Sequence, residues 1–348
     1  MDKVCQMLNN AKHLNTLELE RVSAHLQKMH SRTKGVHDAS VQRAEKCRKC
    51  GATHIVKFGK DKNGKQRYKC KSCGTTFTET SYSVISRTRF GEDIWEKFIH
   101  LTLKGASLAE CAFACGISVR TAFIWRHKIL AVLRNDQNNR IMAGIIEADE
   151  TYFPVSYKGN HKKSKRFIMP RKAFKRGTDN RSNKIPKACV MCSIERNGQS
   201  YGEVLGSGQL SYMMVTHAFQ NRIASDSIVI SDQANAYRKY FSEKERIDLV
   251  RVRSTADGSR HSKIPEVRGI YHVQTVGNFH NRFRRFLRNY NGVSTKYLNH
   301  YVSLFVWIEN HKKMEQPLDD SAKTEISKTF TYMSAEKLFD LPPVPKVA

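Results

Sequence analysis

Two aspartates stand where they can do chemistry. Asp149 lies in "IIEADETYF", beside Glu147 and Glu150, and Asp232 closes the apolar run "SIVIS". A carboxylate at the end of a buried strand is costly unless it has a partner. Two of them on neighbouring strands form an oxygen-rich site suited to a hard divalent cation such as Mg²⁺. Phosphodiester chemistry explains such a pair. Two cations about 3.5–4 Å apart activate a water or a 3′-OH and stabilise the leaving oxygen. A third ligand is then expected from a later helix packed on the sheet. The plainer alternative for Asp232 is to cap the helix that follows it.

A third candidate sits in "GNFHNRFRR", residues 277–285. Val276, Phe279, Phe283, Phe286, Leu287 and Tyr290 mark the buried side of one helix. His280 lies at the edge of that face, one turn from Val276 and from Arg284. Arg282, Arg285 and Arg288 face outward, toward a polyanion. His280 is either one more polar residue on a basic helix or a ligand turned toward the sheet.

The cysteines offer a separate chemistry. Cys47, Cys50, Cys70 and Cys73 are spaced C-x2-C-x19-C-x2-C, with Gly51 and Gly74 after each pair. Two such knuckles present four thiolates to one tetrahedral Zn²⁺, which leaves no open position for catalysis. Structural zinc is the expectation. "GKDKNGKQ" (59–66) lies between the knuckles and matches G-x-x-x-x-G-K, but ends in Gln66. No helix pattern follows, so a hairpin turn around Asn63-Gly64 is expected rather than a phosphate loop. Cys111 with Cys115, and Cys189 with Cys192, lie in apolar patterns and are expected in cores.

These residues need elements to hold them. Residues 1–42 read as an N-terminal helical segment and 43–80 as small hairpins carrying the four thiols. Within 90–138, "GASLAECAFACGISVRTAFIWRHKIL" has the grammar of two helices and a tight turn. Ser107 with Glu110 forms a capping box, Gly116 ends the first helix and Ser118 can cap the second. Ala122, Trp125, Ile129 and Val132 share one face, and Arg120, His127 and Lys128 are expected to point away from it, as a DNA-reading helix requires. An ordinary helical hairpin is the alternative. From 144 to 312 strands alternate with helices, which predicts an α/β domain with a basic insertion at 155–187. Lys172 and Arg176 of that insertion are candidate DNA contacts. Residues 313–348 are expected to form a C-terminal tail whose end, "LPPVPKVA", is loose.

Composition narrows the partner. The 348 residues carry 60 Lys+Arg against 32 Asp+Glu, a formal charge of +28. From Tyr157 to Lys187 there are 12 basic residues and one acid, Asp179. Clustered charge of this size points to nucleic acid. No run of 18 apolar residues predicts a membrane span. The first residues lack a signal-peptide pattern, so a cytoplasmic, nucleoid-associated protein in a reducing compartment is expected, without a disulfide framework.

Together, "CRKC…CKSC", "EADETYF", "ISDQANAY" and "HVQTVGNFHNRFRRFLRNYNGVSTKYL" resemble the DDE-type transposases of bacterial insertion sequences. Specifically, the chain looks like the group with an N-terminal zinc ribbon, related to the eukaryotic Merlin elements, and the likeness spans roughly 43–312. The resemblance implies a zinc ribbon, a helix-turn-helix and then a ribonuclease-H-like catalytic domain, a mixed sheet flanked by helices. It places the first two acidic positions on Asp149 and Asp232. The wider family has a third acid on the helix of "VGNFHNRFRRF", yet Val276 to Arg288 contains no Asp or Glu. One subgroup carries histidine there and a basic residue four positions later, which implies His280 and Arg284. Imidazole adds no negative charge, so weaker Mg²⁺ binding and good tolerance of Mn²⁺ are expected. The resemblance further implies double-stranded DNA as partner, both terminal inverted repeats and target, held by a dimer or larger assembly. A zinc-ribbon DNA-binding regulator, or an inactive derivative without strand transfer, is the rival expectation.

Overall fold

The computed structural model describes residues 45–159, 186–253, 267–312, 317–328 and 338–345, apart from positions 48, 62, 63, 79, 80, 82, 87, 89, 139 and 197. The expected N-terminal helix, Lys172, Arg176, Asn63 and most of the basic insertion lie outside the described residues. The chain divides into two units, one ending at Ser81 and one beginning at Tyr82.

The first unit holds three antiparallel strands: β1 (Ile55–Lys60), β2 (Gln66–Cys70) and β3 (Thr76–Phe77). Lys60 pairs with Gln66, so "GKDKNGKQ" spans a hairpin, with Gly64 at φ 78° and Lys65 N–H donating to Asp61 Oδ1 at 2.8 Å. The two thiol-bearing turns repeat one another. Gly51 N–H donates to Cys47 O at 2.9 Å, and Gly74 N–H to Cys70 O at 3.0 Å. Tyr68 stacks on Phe77 beneath them.

The second unit opens with helices α1 (Glu92–Leu103), α2 (Leu108–Cys115) and α3 (Val119–Asn138). Ser107 and Glu110 close the expected capping box, and Gly116 takes the left-handed conformation that ends α2. Ser118 accepts from Thr121 N–H at 3.1 Å at the start of α3. Helices α2 and α3 meet at 107°. Trp95 stacks on Trp125 at 3.7 Å in their shared core.

A five-stranded mixed sheet follows, made of β4 (Ile145–Pro154), β5 (Lys187–Glu195), β6 (Ser200–Ser207), β7 (Ser227–Ser231) and β8 (Ile247–Arg251). The order is β6-β5-β4-β7-β8, antiparallel from β6 to β4 and parallel from β4 to β8. Helices α4 (Tyr212–Phe219) and α5 (Asn235–Phe241) cover one face, on Ile146, Ala148, Met191 and Val229. Helices α6 (Gln274–Arg288) and α7 (Thr295–His311) cover the other, on Val190, Cys192, Val204 and Ile230. Gly202 permits the close approach of α7, since a Cβ there would stand 2.9 Å from Val302 Cγ1.

Three expectations need correction. Helices α1–α3 share one unit and one core with α7, so the boundary placed between 138 and 144 does not separate compact bodies. The segment read only as a C-terminal tail carries a packed helix. Helix α8 (Leu318–Lys328) buries Ala322 and Ile326, and Leu338 joins the same core. Asp319 meets His100 at 2.6 Å. Finally, α3 does not expose a basic face along its length. α7 packs on it from the side opposite α1 and α2, which leaves His127 1% exposed and Lys128 half-buried. Of the three expected outward residues only Arg120 is exposed.

Candidate metal centre

Strand alternation sends Glu147 and Asp149 to the α6 face of β4, and Ala148 and Glu150 to the α5 face. The pairing of β4 with β7 ends at Ala148 with Ser231, whereas β4 continues against β5 to Pro154. A notch opens beside β4 at that point. Asp232, the first residue past β7, sits at the notch next to Asp149. The outcome is a cluster of Asp149, Glu150 and Asp232, each with a ligand oxygen within 4.8 Å of the others.

Two of the three carboxylates are held by hydrogen bonds. Asp232 Oδ1 accepts from Ala234 N–H at 3.0 Å, so it also steadies the turn into α5. Glu150 accepts from Tyr237 Oη at 3.1 Å and from Tyr152 Oη at 3.2 Å. Burial raises the Asp149 carboxyl to about 8, and the charges of Glu150 and Asp232 add to the rise. Burial also pushes Glu150 up, with Asp232 the next cause. Three mutually repelling acids in a half-buried notch fit a divalent cation, which would relieve both the repulsion and the desolvation.

Helix α6 brings His280 to this cluster. Its Nδ1 lies 3.7 Å from Asp149 Oδ2, and its Nε2 is buried without a hydrogen-bond partner. Burial and the Arg284 charge lower its pKa to about 4, so the ring is neutral near pH 7. His280 is beside the three carboxylates but is not one of the mutually close group. Arg284 Nη2 donates to Thr151 Oγ1 at 2.6 Å, which ties the guanidinium to β4 just past Glu150. Arg285 and Arg288 are exposed on the outer side of α6, and Arg282 there pairs with Glu309 at 2.8 Å.

Glu147 explains why α6 lies where it does. Its side chain is fully buried. It accepts from Thr275 N–H at 2.8 Å, Thr275 Oγ1 at 2.8 Å and Val276 N–H at 3.1 Å, the first amides of α6. Arg196 Nε donates to it at 3.1 Å. A carboxylate on these orphan amides satisfies them and complements the helix dipole. This anchor sets where His280 falls one and a half turns later.

Sequence reasoning brought Asp149, Asp232, His280 and Arg284 to one place but missed two acids. Glu150 was passed over because neighbouring strand residues face opposite ways. That rule fails to separate them here because Asp232 sits past the C-terminal end of β7, within reach of both faces. Glu147 carried no signal beyond its position in the strand.

In the first unit the four thiols converge. Cys47 Sγ lies 3.7 Å from Cys73 Sγ, and Cys50 Sγ 3.7 Å from Cys70 Sγ, with all four within 4.8 Å. A tetrahedron with metal–sulfur bonds of about 2.3 Å has edges of about 3.8 Å. The hydroxyl and amide of Thr75 lower the Cys73 thiol to about 6, whereas Cys50 beside it is pushed up to about 12 as the four thiols share their protons, protons that a bound metal would displace. The quartet can hold one tetrahedral ion.

Residues 141–310 match a protein family described as the ISXO2-like transposase domain. No curated protein matches the chain. Among solved structures, the Mos1 strand transfer complex is 12% identical and covers 71% of this chain and 80% of that chain, at a TM-score of 0.24. A pre-cleavage Mos1 transpososome is 13% identical and covers 71% and 81%, at a TM-score of 0.20.

Proposed function

We infer that this chain, whose residues 141–310 match the ISXO2-like transposase domain, is a DNA transposase that cleaves element ends and joins them to target DNA. The observation that carries this reading is the cluster of Asp149, Glu150 and Asp232 at the end of the central strands. The strand order β6-β5-β4-β7-β8, with three antiparallel strands and then two parallel ones, supports a ribonuclease-H-like catalytic domain.

Asp149 and Asp232 hold divalent metal, Mg²⁺ or Mn²⁺, and Glu150 supplies the third carboxylate that α6 lacks. The metal, when bound, activates a water or a 3′-OH and offsets charge on the leaving oxygen. His280 lies beside Asp149 and offers a neutral nitrogen. Arg284, tethered to Thr151, sets a fixed positive charge beside the site for the scissile phosphate. Arg282, Arg285 and Arg288 hold the DNA backbone along the outer face of α6. The four-thiol unit is a zinc ribbon. The pair α2–α3 is a helix-turn-helix that meets the terminal repeats through the start of α3, at Arg120, rather than through His127. Two element ends must meet, so a dimer or larger assembly works on DNA, in the reducing compartment where the nucleoid lies.

The test is direct. The protein is incubated with a plasmid carrying the DNA that flanks its gene, with Mg²⁺ or Mn²⁺. Nicked and joined products are expected, and Asp149→Ala and Asp232→Ala should give none. Binding that persists in EDTA with no cutting in either metal would sink the transposase in favour of a DNA-binding regulator.

A further inference from the structure

A second site lies away from the carboxylates. A cavity of about 1070 Å³ opens in the helical layer, between α3, the turn from α6 into α7, and residues 339–343. Neither Asp149, Glu150, Asp232 nor His280 lines it. Its wall holds a buried cation. Arg126 is 1% exposed, and its Nη2 donates to Ala106 O at 2.6 Å and to Cys111 Sγ at 3.2 Å. Neither acceptor is a charged group. Arg126 Nε has no hydrogen-bond partner, and the ring of Tyr290, 5.5 Å away, gives partial compensation. Glu110 feels this charge, but its carboxylate is committed to the Ser107 amide at 2.6 Å. A buried guanidinium without an ion-pair partner is costly, and an anionic ligand would settle it.

The remaining wall suits a flat ring. Phe123 meets Tyr297 edge-on at 5.2 Å. His127, also 1% exposed, has its Nδ1 2.7 Å from His300 Nδ1, one ring donating to the other, and its Nε2 is enclosed by protein without a partner. Burial holds both rings neutral, lowering His300 to about 4 and His127 well below its ordinary value. Aromatic faces on a cavity wall are what a base needs for stacking. Arg120 at the mouth is exposed and adds positive charge for a phosphate.

We propose that this cavity is a nucleotide-binding site, in which the aromatic wall takes the base and Arg120 and Arg126 take the phosphate. The same chemistry admits a free mononucleotide or an unpaired nucleotide at the end of a DNA duplex. The site does not depend on the carboxylate cluster or on cleavage.

The test uses the full chain in EDTA, so that no metal-dependent step contributes. Calorimetry with deoxyadenosine monophosphate is compared with unphosphorylated deoxyadenosine. In parallel, 2-aminopurine fluorescence is followed in a duplex with one unpaired 2-aminopurine and in a fully paired duplex. Arg120→Ala should weaken monophosphate binding about tenfold or more, as loss of one charge-assisted hydrogen bond does; because Arg120 also meets duplex DNA, the duplex probes are read through Phe123→Ala alone. Phe123→Ala should abolish the fluorescence change of the unpaired base. Saturable binding of the monophosphate, stronger than that of deoxyadenosine, supports the site with free nucleotide as its source. A signal confined to the unpaired duplex supports it with DNA as the source. No response from either probe, or responses unchanged in both variants, overturns it. Arg120 is exposed, so its variant tests the site even if Phe123→Ala fails to fold.

Discussion

His280 Nδ1 stands 3.7 Å from Asp149 Oδ2, and the two residues come from elements 131 positions apart in the chain. The carboxyl is pushed up to about 8 and the imidazole down to about 4, so burial drives both toward neutrality. Near pH 7 without metal they form an uncharged pair at the edge of an acidic notch.

This pair predicts an unusual pH dependence. A carboxyl whose folded pKa lies above 3.8 is protonated in the folded state where the unfolded chain has lost that proton. Its contribution to stability therefore falls as pH rises from 3.8 toward about 8. His280 acts oppositely, but only between about 4 and 6.5. Above 6.5 the Asp149 effect stands clear of it. Metal-free protein should lose about 2 kcal/mol relative to Asp149→Asn between pH 6.5 and 8. Urea unfolding at a series of pH values measures this. A variant with the same pH slope as wild type would refute it.

His280→Ala should lower cleavage by about a hundredfold or more while leaving affinity for end DNA within about twofold. Gel-shift titration and nicking assays on the same preparation separate the two. Normal cutting would return His280 to the role of a core histidine.

Arg285→Ala and Arg288→Ala should weaken binding without regard to sequence. Each should reduce the slope of log Kd against log salt by about 1, as the loss of one phosphate contact does. Arg282→Ala should act less cleanly, because it also frees Glu309, which Lys312 still holds at 2.7 Å.

Glu147→Ala leaves the Arg196 side chain and the first amides of α6 without their acceptor. A loss of about 3–5 kcal/mol is expected from breaking such a buried pair. Cleavage should fall too, because the helix that carries His280 loses its anchor. Thermal unfolding checks the first effect. A stable Glu147→Ala protein with full activity would show that α6 is positioned by its apolar face alone.

Zinc content tests the four-thiol unit. One equivalent per chain should be released by denaturation with a chelator, and Cys70→Ser should retain less than half of it. Because the ions are separate, Asp149→Ala should leave zinc content unchanged.

Much of the site was legible in the chain because local chemistry defined it. Cys47, Cys50, Cys70 and Cys73 announce their cluster by spacing, and Asp232 by standing at the end of an apolar run. Ser107, Glu110 and Gly116 mark the ends of α2 through backbone needs that any helix has. Strand β8 and helix α8 were missed although their patterns are present. "RIDL", at the start of β8, alternates charge with apolar residues as an edge strand does, and Leu318, Ala322 and Ile326 recur at helical spacing.

His127 shows the limit from the other side. Its spacing on α3 relative to Trp125 and Ile129 suggested exposure, which holds for a helix packed on one side only. α7, remote in sequence, covers the second side, and periodicity within α3 carries no record of it. Glu150 is the same lesson in reverse. Residue types and spacing determined that acids, thiols and basic helices exist and how each element begins and ends. Only the tertiary structure decided that β7 stops at Ser231, opening a notch where carboxylates from both faces of β4 meet, because where one strand ends against another depends on long-range pairing.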